Sequence, residues 1–125
     1  MQAQLSYQLS REPTAPAAAR GAMETFRGTL DEHHLYAARL LVSELVTSAV
    51  KQSGAEPVRV EAANDGHSLH VEVVDRAPAR RPWRRSEDVE EVGGWGLPLL
   101  ARVADRWGSF DDGSRAWFEL DLEAG

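Results

Sequence analysis

Apolar and polar positions alternate weakly from Leu5 to Leu9, which predicts a first strand. Two prolines between Arg11 and Pro16 mark a turn into a helix, with Thr14 placed to cap it and Pro16 tolerated in its first turn. Helix is predicted over Ala17 to Leu30, against the low helix propensity of Gly21 and Gly28. The clearest helical pattern starts at Asp31 and runs to about Gln52, with Ala38, Leu41, Val42, Leu45 and Ala49 recurring as a buried stripe. Asp31 and Glu32 suit the positive end of its dipole, and Ser53-Gly54 supplies a stop. Val58 to Ala62 and Ser68 to Val74 alternate on either side of Asn64-Asp65-Gly66, which predicts a β-hairpin with Leu69, Val71 and Val73 on one face. Arg76 to Val92 has no clean period and reads as a loop longer than a compact domain needs for connection alone. Gly93-Gly94-Trp95-Gly96 then opens a short helix, Leu97 to about Ala104. A strand over Arg106 to Phe110, a turn at Asp111-Asp112-Gly113 and a last alternating strand over Arg115 to Leu122 complete the chain. Clustered, hairpin-linked strands predict an α+β two-layer sandwich, with helices packed on one face of a mixed, mostly antiparallel sheet.

Composition narrows the chemistry. At 125 residues, the chain is expected to form a single domain spanning 1–125. With no cysteine, disulfides, thiolate metal sites and cysteine nucleophiles are excluded. No apolar run approaches the roughly 20 residues of a membrane span, and no charged region followed by an apolar core opens the chain, so a cytoplasmic protein is expected. A net charge of −6 argues against direct nucleic-acid binding, although five arginines fall between Arg76 and Arg85.

Three segments carry candidate chemistry. Glu44, Ser48 and Gln52 fall on one helical face beside the buried stripe, where a solvated polar stripe is the simpler reading. Asp75 directly follows an apolar strand; its carboxylate could accept a hydrogen bond from an exocyclic amine such as adenine's, or simply start a turn. The glycines around Trp95 would let backbone N–H groups approach phosphate, or serve as a hinge and cap. His33 and His34 are adjacent, so on a helix they point to different sides and read as surface residues, not a shared metal site. Trp107 and Trp117 read as packing residues; Trp83 and Trp95 fall in the long loop and its glycine end.

The order and spacing of these segments resemble the GHKL ATP-binding superfamily, and more narrowly the small anti-sigma-factor serine kinases of bacterial partner-switching systems. LLVSELVTSAV resembles that group's helix motif, VEVVDRAPA stands where its first glycine box lies, GGWGLPLLARVADRWG resembles the second box and the helix behind it, and RAWFELDL resembles the closing strand. The resemblance runs from about Leu5 to Leu122 and implies an ATP and Mg²⁺ site. It makes Glu44 the catalytic glutamate that would polarise a partner's hydroxyl. Ser48 stands at the position of a metal-binding asparagine, a poorer donor for Mg²⁺. Asp75 matches the aspartate that meets the adenine amine, but Ala77 and Ala79 replace the two glycines of that box. Gly94 and Gly96, with Leu97 behind them, match the phosphate loop, and residues 76–92 would form the lid. The implied function is a partner-switching transcription regulator with a degenerate nucleotide site and protein binding retained. Its partners would be a sigma factor or a STAS-type antagonist, and it would form a homodimer. The alternative is an active Mg-ATP-dependent serine/threonine kinase acting on that antagonist.

Overall fold

The computed structural model describes residues 3–51, 57–75, 98–110 and 115–122. The first alternating stretch forms β1 (Ala3–Leu9), and α1 (Ala15–Ala22) follows the proline-containing turn. Thr14 occupies the N-cap position, but its hydroxyl lies 3.4 Å from the Glu12 carboxylate and makes no cap bond. The helix predicted to reach Leu30 is shorter. It tightens into a 3₁₀ turn over Met23–Phe26, and Gly28 then adopts φ +97°, a left-handed conformation that a continuing helix does not admit.

The chain re-enters helix at once in α2 (Glu32–Val50). Asp31 caps it from an extended conformation, its Oδ1 accepting the His34 N–H at 2.7 Å. That bond, above all, holds the Asp31 carboxyl below its usual range. The five stripe residues Ala38, Leu41, Val42, Leu45 and Ala49 are all fully buried, as their spacing predicts. The helix ends at Val50 with Lys51 as its C-cap, short of Gln52; the Ser53-Gly54 stop lies outside the described residues.

Strands β2 (Val58–Asn64) and β3 (Ser68–Val74) form the expected hairpin. Gly66 takes φ +91° in its turn, and the Asp65 carboxylate accepts the Ser68 and His67 N–H groups, which lowers its pKa. The short helix α3 (Pro98–Val103) precedes β4 (Arg106–Phe110) and β5 (Arg115–Asp121). The turn predicted at Asp111–Gly113 lies outside the described residues. The sheet order is β1-β2-β3-β5-β4, and each of its strand pairings is antiparallel, in the α+β sandwich with a mostly antiparallel sheet that was expected.

One sheet face packs on the helices. Leu69, Val71 and Val73 from β3 meet Ala116, Phe118 and Leu120 from β5 beneath the α2 stripe, and Leu100 of α3 closes one end. The opposite face is polar and cross-linked by charge. His70 lies between the carboxylates of Glu72 (3.2 Å) and Glu119 (2.9 Å) and stacks on Trp117, while Arg115 binds Glu72. Arg106 donates to Glu119 at 2.7 Å and to Asp121 at 2.5 Å, and these bonds are the main reason both carboxyls titrate below their usual values.

The sign of that effect is fixed. A carboxyl lowered by folding contributes stability above its ordinary pKa, 4.5 for Glu119 and 3.8 for Asp121, and loses it as pH falls through the folded value. Arg106→Gln should therefore be less stable than wild type at neutral pH, with the gap closing as the pH falls below about 4. Urea melts across this range check it; a gap independent of pH would assign the loss to packing.

Candidate functional site

Helix α2 must bury Leu41, Leu45 and Ala49 against the sheet, and that rotation fixes the direction of its polar neighbours. Glu44 and Ser48 fall one turn apart at the margin of the buried stripe, and both are half-buried. Asp75 is the first residue beyond β3. The last four residues of that strand, Val71 to Val74, are all buried, and at the end of the sheet Asp75 is completely buried too.

A buried carboxylate needs a partner, because transfer of an unpaired charge out of water is costly. Arg11, from the turn between β1 and α1, supplies a counter-charge. Its Nη2 donates to Asp75 Oδ1 at 2.5 Å and its Nη1 approaches Oδ2 at 3.3 Å, so the guanidinium faces both oxygens. The Arg11 side chain is itself only 8% exposed. Nη1 also donates to the Ala49 carbonyl at 2.6 Å. That carbonyl belongs to the last turn of α2, where it also meets the N–H of the C-cap Lys51 and where the helix dipole favours a cation. One side chain therefore ties together the β1–α1 turn, the C-terminal end of α2 and the end of β3. Ser48 precedes the bonded Ala49 and is itself engaged.

Of the residues singled out in the sequence, Glu44, Ser48 and Asp75 are described. Ser48 and Asp75 lie at the same end of the sandwich, linked through Ala49 and Arg11. Ala77, Ala79, Gly94, Gly96, Leu97, the proposed lid over 76–92, Gln52, Trp83 and Trp95 lie outside the described residues. Arg11 was not identified from the sequence. It stands 64 positions from Asp75, so no local pattern links them; the one available signal was the demand of a strand-end aspartate for a counter-charge.

Two other expectations are refined. The rings of His33 and His34 do meet, edge to face at 5.3 Å, although adjacent helical residues were expected to diverge. His34 is also 2.9 Å from the Asp31 carboxylate, and no cluster of three metal-ligating residues occurs among the described residues. Trp107 packs against the core as expected, whereas Trp117 lies on the outer sheet face against His70.

Among the described residues two hollows are found, and none of Glu44, Ser48 and Asp75 lines either of them, although the second reaches Ser43 beside Glu44. One, of about 520 Å³ on the outer sheet face, is lined by Ser6, Glu61, His70 and Glu72 among others. The second, of about 330 Å³, lies along α1 and α2 and is rimmed by Arg20, Arg27 and Arg39, with Leu35, Leu40 and Tyr36. Glu24 binds both Arg27 and Arg39, and these bonds, that from Arg27 foremost, lower its pKa. Tyr36 is 69% exposed. No described helix is long and apolar enough to cross a membrane.

No curated protein matches the chain significantly. A family profile, described as a histidine kinase-like ATPase domain, matches residues 9–117. This span includes Arg11, all of α2, Asp75 and the first three residues of β5, and the antiparallel sheet with helices on one face agrees with that fold. The chain therefore belongs to the histidine kinase-like ATPase domain family.

Proposed function

We propose that this chain is a cytoplasmic partner-switching regulator of transcription, similar to an anti-sigma factor, that works by binding proteins and has a degenerate nucleotide site. The observation that carries this reading is the Arg11–Asp75 pair. On the family resemblance Asp75 would receive the adenine amine, yet its carboxylate is buried and already bonded by a guanidinium. An adenine amine is a neutral donor and would have to displace a charge-assisted two-point contact.

The metal end agrees. Mg²⁺ is usually held by one or two carboxylates together with substrate phosphates and waters. Ser48 offers a neutral hydroxyl, and the adjacent Ala49 carbonyl is bonded to a cation. These residues do not suit Mg-ATP. Protein binding is supported by the surface of α1 and α2, where an exposed tyrosine and three arginines border a cleft with leucines in its lining. Aromatic residues and arginine are enriched at protein interfaces. The partners proposed are a sigma factor or a STAS-type antagonist, with the chain acting as a homodimer.

The second reading, an active serine/threonine kinase, is favoured by the retention of Glu44 beside a buried stripe that holds it in place. The two separate in one experiment. The protein is mixed with purified sigma factors and STAS-type proteins, with and without Mg-ATP, and both complex formation and transfer of labelled γ-phosphate are followed. The regulator reading expects a complex that forms equally well without nucleotide, and no labelled protein. Phosphate transfer abolished by Glu44→Ala would replace it with the kinase reading.

A further inference from the structure

We propose that Arg11 is an internal ligand of Asp75 that holds the base end of the nucleotide cleft shut, so that this one side chain determines what the site accepts. The proposal rests on the reading of Asp75 as the base-recognising carboxylate, and it names the residue that sets the selectivity of that site.

Three features distinguish Arg11 from a casual surface arginine. The first is the shape of the contact. Two guanidinium nitrogens face two carboxylate oxygens, the fork that arginine forms with carboxylate and that lysine cannot reproduce. The second is anchoring. The Ala49 carbonyl holds Nη1 at 2.6 Å independently of Asp75, so the guanidinium is positioned from two sides. The third is the backbone behind it. The turn that carries Arg11 is braced by hydrogen bonds from Glu12 N–H to the Ser10 carbonyl and from Ala15 N–H to the Glu12 carbonyl, both 2.9 Å. The side chain therefore extends from a structured turn.

The exchange chemistry follows from this geometry. An entering base would bring a neutral amine to Asp75 and would have to expel a cation from a carboxylate that is completely buried. It would also break the bond to Ala49, leaving a carbonyl at the negative end of α2 without its cation. With the Arg11 side chain removed, the same carboxylate would border a space of guanidinium size. That space favours planar ligands bearing N–H donors, small guanidinium cations and amino-substituted bases among them.

The test measures adenosine affinity by calorimetry for wild type and for Arg11→Ala, with methylguanidine as competitor. Arg11→Ala should bind adenosine at least tenfold more tightly than wild type, and millimolar methylguanidine should abolish the gain because it occupies the vacated place. A folded Arg11→Ala protein whose adenosine affinity stays within twofold of wild type overturns the proposal, as does a gain that methylguanidine leaves untouched. Should Arg11→Ala fail to fold, Arg11→Gln takes its place with the same readout, since glutamine removes the charge and the fork while keeping a neutral polar side chain. The two readings fail separately. Tight Mg-ATP binding by wild type would remove the degenerate-site reading, whereas equal adenosine affinity in wild type and variant, at any level, would remove the role of Arg11.

Discussion

Arg11→Met should destabilise the protein by about 3–5 kcal/mol, because it takes the guanidinium counter-charge from a buried carboxylate. Asp75→Leu should cost a similar amount, because the buried guanidinium loses its counter-charge. Asp75 is fully buried and Arg11 nearly so, which places the pair among those where breaking one side is expensive. The double variant Arg11→Met/Asp75→Leu should recover most of that loss, since replacing both charges with apolar groups is often neutral. Urea unfolding of the four proteins gives the coupling energy directly. Additive losses would mean that the two side chains do not stabilise the fold through each other. Part of the Arg11 effect will persist in the double variant, because the Ala49 carbonyl also loses its charged donor.

The second large effect lies in the core that holds the site in place. Phe118→Ala should cost about 3–5 kcal/mol, the range for deleting a fully buried aromatic ring. Phe118 pairs with Val71 on one side and Trp107 on the other, at the centre of the apolar face that receives α2. Against a total stability of about 5–15 kcal/mol this is a large fraction, read as a lowered urea midpoint with an unchanged slope. A change below about 1 kcal/mol would show that the sheet and α2 are not packed through this ring.

The fold was largely legible because its elements announce themselves locally. Leu69, Val71 and Val73 alternate, and the strand they predict is the strand observed, Ser68–Val74. Asp31 signals the start of α2, and the stripe from Ala38 to Ala49 gives its buried side. The error at the end of α1 has an equally local cause: Gly28 sits in a left-handed conformation, and residue type alone does not reveal whether a glycine will use that freedom. The site was legible only in part. Glu44, Ser48 and Asp75 could be placed from motif spacing, because each is tied to an element of clear period. Arg11 could not, because its contact depends on how the β1–α1 turn meets the far end of β3, a tertiary fact with no sequence period. The outer-face network is intermediate. Alternation puts Glu72, Trp117 and Glu119 opposite the core, but the register that brings His70 beside Glu119 is set by strand pairing.

The central claim is that the residues of this site no longer suit a nucleotide. Calorimetric titration of the wild-type protein with ATP, with and without Mg²⁺, tests it most directly. No detectable heat is expected in either case. Magnesium-dependent binding at micromolar affinity, about −8 kcal/mol, would contradict it. Asp75 would then have to release Arg11 to take a base, and Ser48 would serve the metal after all.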